Sequence, residues 1–196
     1  MERHRDHLQE EIEAARAAAR AAHVSSPHHV ELDDRIPADA KRLVLIGVGN
    51  AWHHDDAAGL EVARRLRGAE PDGVMISDQE GEPESLLAAW DGAREALVFD
   101  GVSDAGEAGK LHRFDVARDS VPPDLFRPTT HALGIADAIE LGRELDVLPP
   151  WLAVYGIAGE NFEEGVGLTP AVEDTVERLV AELHAELDTR GGHPEG

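Results

Sequence analysis

RLVLIGVGNAWHHDDAAGLEVARRL, residues 42–66, reads as the first half of an α/β unit. Leu43 to Val48 is an apolar, partly β-branched run too short for a helix, so it predicts a buried strand. Gly47 and Gly49 free the backbone for a tight turn. Asn50 to Asp56 follow as a polar loop holding His53, His54, Asp55 and Asp56. From about Ala57, Leu60 and Ala63 recur at helical spacing with Val62 and Leu66 beside them. Glu61, Arg64, Arg65 and Arg67 take the other side. In open parallel sheets, ligands bind where such loops leave the carboxyl ends of the strands.

The rest of the chain repeats this alternation. Residues 73–77 predict a second strand ending at Asp78, and Pro83 opens a helix whose apolar face is SLLAAW at 85–90. A third strand covers 96–99 and enters Asp100-Gly101. Residues 110–116 alternate imperfectly and predict an edge strand. Pro122, Pro123 and Pro128 make the next loop rigid, and Thr129 or Thr130 caps a helix running to about Glu144. A last strand spans 152–157, a loop 159–167, and Thr169-Pro170 supplies the N-cap and first position of a helix from 171 to about 188. The class is therefore α/β: three layers, α/β/α, around a mainly parallel twisted sheet of about five strands. One such domain is expected over 41–190. Residues 1–40 form a weakly amphipathic, alanine-rich helix (3 to about 23) and a linker, and 191–196 a disordered tail.

Composition narrows the function classes. With 40 acidic against 18 basic side chains among 196 residues, the net charge of −22 repels a phosphate backbone, so nucleic acid is not an expected partner. There is no cysteine, hence neither a disulfide framework nor a thiolate zinc site. No apolar run approaches the roughly 20 residues of a membrane span, and the charged first residues do not read as a signal peptide. A cytoplasmic protein, monomeric and meeting its partner transiently, is expected.

Asp56, Asp100 and His131 each fall just beyond a strand or at a helix start, positions that can converge on one edge of such a sheet. Two carboxylates and an imidazole suit a divalent ion such as nickel or zinc, and three protein ligands leave coordination positions open. Helix starts favour an ionised Asp56 and a neutral His131. Taken singly, each has an ordinary structural role: Asp55 or Asp56 as an N-cap, Asp100 before Gly101 as a turn former, His131 bonded to a local carbonyl. His53, His54 and Asp55 read as loop residues facing water, with a supporting place around the trio as the other reading.

GVGNAWHHDDAAG, LVFDGV at 97–102, PTTHALGIADAI at 128–139 and GVGLTPAV at 165–172 together resemble, in order, the motifs of the hydrogenase maturation proteases. The resemblance runs from about Arg42 to Leu187. It implies an endopeptidase that removes the C-terminal extension of a nickel–iron hydrogenase large-subunit precursor after nickel insertion. Asp56, Asp100 and His131 would be the trio contacting the nickel that the precursor carries, with zinc or cadmium able to take the same place. Any catalytic part of the trio would run through that metal. Many relatives have Asp-Gly-Gly-Thr after the second strand, whereas this chain has Asp78-Gln79-Glu80-Gly81. That segment resembles the place where the precursor is read, so Asp78, Glu80 and Gly81 are candidate substrate-binding residues. Ala57 also stands where many relatives have glycine. Two other classes stay open: a nickel-binding maturation chaperone without catalysis, and a dinucleotide-binding module suggested by Gly47-Val48-Gly49. Against the latter, Trp52 occupies the third glycine's position of G-x-G-x-x-G, where an indole would obstruct the approach of helix to strand.

Overall fold

The computed structural model describes residues 43–68, 70–126 and 134–191. The expected N-terminal helix and linker, Thr129, Thr130, His131 and residues 192–196 of the expected tail lie outside them. Strand β1, Leu43–Val48, is buried along its whole length, as its unbroken apolar run requires. It pairs in parallel with β2, Val74–Gln79, on one side and with β3, Glu95–Ser103, on the other. β3 pairs in parallel with β5, Trp151–Gly159, and the antiparallel edge strand β4, Leu111–Asp115, completes the order β2-β1-β3-β5-β4.

Helices cover both faces, and the period-2 alternation of the strands assigns each residue to one of them. Val44, Ile46, Val98 and Val154 face α2 (Pro83–Trp90) and α3 (Ile135–Leu145), meeting Leu86, Trp90 and Ile139. Leu43, Leu45, Leu97 and Phe99 face α1 (Ala58–Leu66) and α4 (Pro170–Gly191), meeting Val62, Leu66, Val176 and Leu179. Fully burying each such side chain contributes about 1.5–3 kcal/mol. No helix among the described residues is long and apolar enough to cross a membrane.

Three local readings change. The third strand does not stop at Phe99: Asp100 and Gly101 continue it, pairing with Gly156 and Ile157 of β5. Asp100-Gly101 is therefore not a turn. An Asp-Gly pair in a central strand holds its place because the neighbouring strand supplies the ladder, whatever the local propensity. Likewise Asp78 does not end β2 but lies within it, opposite Gly47. The loop after β1 is also more ordered than its polarity suggested, closing in a 3₁₀ turn at His54–Ala57.

Candidate active site

β1 hands the chain through α1 to β2 on one side, and β2 returns it through α2 to β3 on the other. The sheet order thus reverses between β1 and β3, where open α/β sheets form their binding crevice. Pairing of β1 with β3 ends at Gly47 opposite Phe99, and β3 continues four residues beyond that pair, to Ser103. The 3₁₀ turn fills the place beside that overhang. The packing is so close that a Cβ on Gly101 would stand 2.3 Å from the Asp55 carbonyl oxygen and 3.2 Å from the Asp56 Cα. Gly49 permits the turn. Its φ is +139°, and a Cβ there would fall 1.8 Å from the Asp56 carbonyl oxygen.

This arrangement brings Asp56 and Asp100 together at one rim. The backbone N–H of Asn50 donates to Asp56 Oδ2 at 2.9 Å, fixing the carboxylate over the end of β1. Asp100, partly buried on β3, has its carboxyl pushed up to about 8. Burial is the larger cause and the nearby charge of Asp56 the second, while a hydrogen bond from the Gly101 backbone pulls the other way. Near neutral pH, then, Asp100 holds a proton that a dication arriving at the rim would displace. Two carboxyl groups that resist joint ionisation are a donor set suited to a divalent cation. Among the described residues no group of three histidine or acidic side chains converges as a metal site. His131, the third member of the expected trio, lies outside those residues.

The largest departure from expectation is Asp55. Far from facing water, it has no solvent exposure at all. Its Oδ2 accepts from the backbone N–H of Glu160 and of Asn161, both at 3.0 Å, and from the Thr169 hydroxyl at 2.9 Å. Its Oδ1 accepts from the Thr169 backbone N–H at 2.7 Å. Thr169 does precede α4 as expected, but its hydroxyl serves Asp55. The histidines are not free loop residues either. His54 Nδ1 donates to the Gly167 carbonyl at 2.9 Å, and His53 Nδ1 to that of Phe162 at 3.3 Å. Both rings are partly buried. Backbone bonds from His54 to Gly165, from Gly165 to Trp52 and from Asp55 to Asn161 complete the seam between loops 50–57 and 159–169. His54 sits at φ +41°, an uncommon conformation for a residue other than glycine, and these bonds hold it there. The two halves of this seam are over a hundred positions apart, so no local pattern announces it. A Thr-Pro helix start in one motif and paired acids in another were the only signals available.

Asp78, Glu80 and Gly81 flank the same rim from the β2 side, where Gly49 N–H donates to the Gln79 carbonyl. Asp78 pairs with Arg67 at 2.8 Å, Glu80 is exposed, and Gly81 is buried with space for no more than a tight contact to Val48. The glycine pattern after β1 does not form a phosphate cradle, because the Asp56 carboxylate occupies the Asn50 amide. The objection expected from Trp52 also proves mistaken. Its indole is 71% exposed and lies outside the helix–strand contact. Close approach is supplied by Gly59, where a Cβ would meet the Phe99 and Val48 carbonyl oxygens at 2.1 and 2.4 Å.

Comparison with known proteins agrees with this architecture. A family model described as hydrogenase maturation protease matches residues 60–186, a span containing Asp100, His131 and the 159–169 loop. The chain is 30% identical over 155 residues to the hydrogenase 2 maturation protease of Escherichia coli K12, covering 76% of this chain and 93% of that one. The solved structure of the hydrogenase maturating endopeptidase HybD from Escherichia coli superposes with a TM-score of 0.64 at 28% identity, over 76% of this chain and 94% of that one. A hydrogenase maturation protease HycI from Thermococcus kodakarensis shares the fold, with a TM-score of 0.59 at 22% identity, over 77% of this chain and 95% of that one. On the extent of these matches, the chain belongs to the hydrogenase maturation protease family of endopeptidases.

Proposed function

We propose that this endopeptidase removes the C-terminal extension of a nickel–iron hydrogenase large-subunit precursor once nickel has been inserted. The observation that carries this reading is the Asp56–Asp100 pair at the switch point, with Asp100 raised to about 8 beside the Asp56 charge. Nickel is the precursor's cargo in this account, and Asp56, Asp100 and His131 are the residues that contact it. A precursor without nickel leaves Asp100 protonated and the rim unengaged. A loaded precursor draws both carboxylates onto the ion, which places the peptide beyond it against the enzyme. The chain holds no cysteine, and its motifs include no Gly-x-Ser-x-Gly elbow, so water is the attacking group. Assistance to that water comes either from the metal or from a carboxylate of the trio. Asp78, Glu80 and Gly81 flank the site where the precursor is read.

The test is mass measurement of nickel-loaded and nickel-free large subunit, before and after incubation with the protein, across several hydrogenase classes. Loss of the tail from the loaded form alone is expected. Asp56→Asn, Asp100→Asn and His131→Ala should each abolish it while the far-ultraviolet spectrum stays native. Tail removal at the normal rate by all three variants would overturn the assignment. Nickel binding without any cleavage would leave a chaperone in its place.

A further inference from the structure

Asp55 and Asp56 are neighbours in sequence with opposite duties. Successive residues of a 3₁₀ turn point about a third of a turn apart. Asp56 consequently faces Asp100 while Asp55 is driven inward, with no solvent exposure. A buried carboxylate is costly unless its oxygens are met by donors. Here four donors meet it, and every one comes from residues 160–169: the backbone N–H groups of Glu160, Asn161 and Thr169, and the Thr169 hydroxyl. Thr169 and Pro170 open α4, so the positive end of that helix lies against the same carboxylate.

From this geometry we infer that Asp55 is a positioning residue for the metal-contacting carboxylate, locking the turn that carries Asp56 onto the loop 159–169 and the head of α4. The inference rests on the role of Asp56 in the proposed function. The Asn50 backbone N–H donates to the Asp56 side chain, and the Asp56 backbone N–H donates to the His53 carbonyl within the same turn. Both of these contacts lie within residues 50–56, and the turn itself packs directly on Gly101 of β3. The Asp55 carboxylate adds a buried, four-donor tie to the backbone and histidine bonds of the seam. Loop 159–169 continues directly from β5, which is paired with β3 along its length. The chain of contacts runs from β3 through β5 and the loop to Asp55 and then Asp56. A shift of the turn by a fraction of an ångström would misplace Asp56 against Asp100 and loosen any ion held between them.

Asp55→Asn keeps the size and turns an acceptor into an N–H₂ group facing donors. It should lower kcat for loaded precursor about tenfold and weaken nickel binding to the isolated protein, measured by titration calorimetry, by a similar factor. The KM for the precursor should stay within about twofold. Thr169→Val removes one donor and should give a smaller loss of both, and Thr169→Ser, which restores the hydroxyl, should recover them. Rates are expressed per folded molecule, so a merely structural role would lower the melting temperature but leave kcat and nickel affinity unchanged. That result, in either Asp55→Asn or Thr169→Val, overturns the inference. Asp56→Asn serves as reference. If it is inactive while Asp55→Asn is normal, only the positioning role fails. If Asp56→Asn itself processes normally, the functional reading fails and the positioning role with it.

Discussion

The carboxyl end of β1 has two flanks, and they are built on different principles. On the β3 side, residues 50–57 are stitched to loop 159–169 through Asp55, His53 and His54 and packed against Gly101 with no room for a methyl group. On the β2 side, Asp78 and Glu80 are exposed, and Asp78 meets Arg67 in a surface ion pair of the kind that contributes about 0–1 kcal/mol. On the proposed function, chemistry that depends on the spacing of two carboxyl groups belongs to the rigid flank. On the flank expected to read the precursor, changes of charge at the exposed Asp78 and Glu80 should cost the fold little.

The sharpest way to break the contrast is Gly101→Ala. Its methyl group would meet backbone, which has nowhere to go, so a loss of about 3 kcal/mol or more is expected in urea unfolding. A loss below about 1 kcal/mol would show that the rigid flank yields.

A second test uses pH. Asp100 titrates at about 8 when folded, against 3.8 for an unperturbed side chain, so between those values the folded state holds the extra proton. The stability this confers is full below pH 4 and drains away as pH rises towards 8. Asp100→Asn has no such loss, so its melting temperature relative to the parent should climb from pH 5 to pH 8.5. Asp56→Asn should shrink the climb by removing the neighbouring charge. A flat difference across that range would mean that Asp100 titrates as an ordinary carboxylate. The smallest effect is expected on the soft flank. Arg67→Ala should move stability by less than about 1 kcal/mol, or roughly 2–4 °C in Tm, while changing the KM for precursor through the released Asp78. A larger thermal effect would place Asp78 in the rigid frame.

Much of this arrangement is legible in the residues themselves. The apolar runs at 43–48 and 152–157 and the Pro83 and Pro170 helix starts are governed by local rules, and the strands and helices fall there. Asp56 and Asp100 were accessible because loops at the carboxyl ends of parallel strands converge whatever their sequence distance. What escaped was set by partners. The continuation of β3 through Asp100-Gly101 depends on β5, and the burial of Asp55 depends on donors at 160–169. Both are tertiary facts with no periodicity of their own.

The bonds of Asp55 reach across 105 to 114 positions of the chain, and this has a bearing on synthesis. A ribosome delivers the β1 turn long before it delivers Glu160 to Thr169. Until those residues emerge, the acidic turn lacks the four donors that draw Asp55 inward. A turn translated early thus waits on residues translated late, and a nascent chain halted before Glu160 carries Asp55 without any of the donors that meet it in the finished fold.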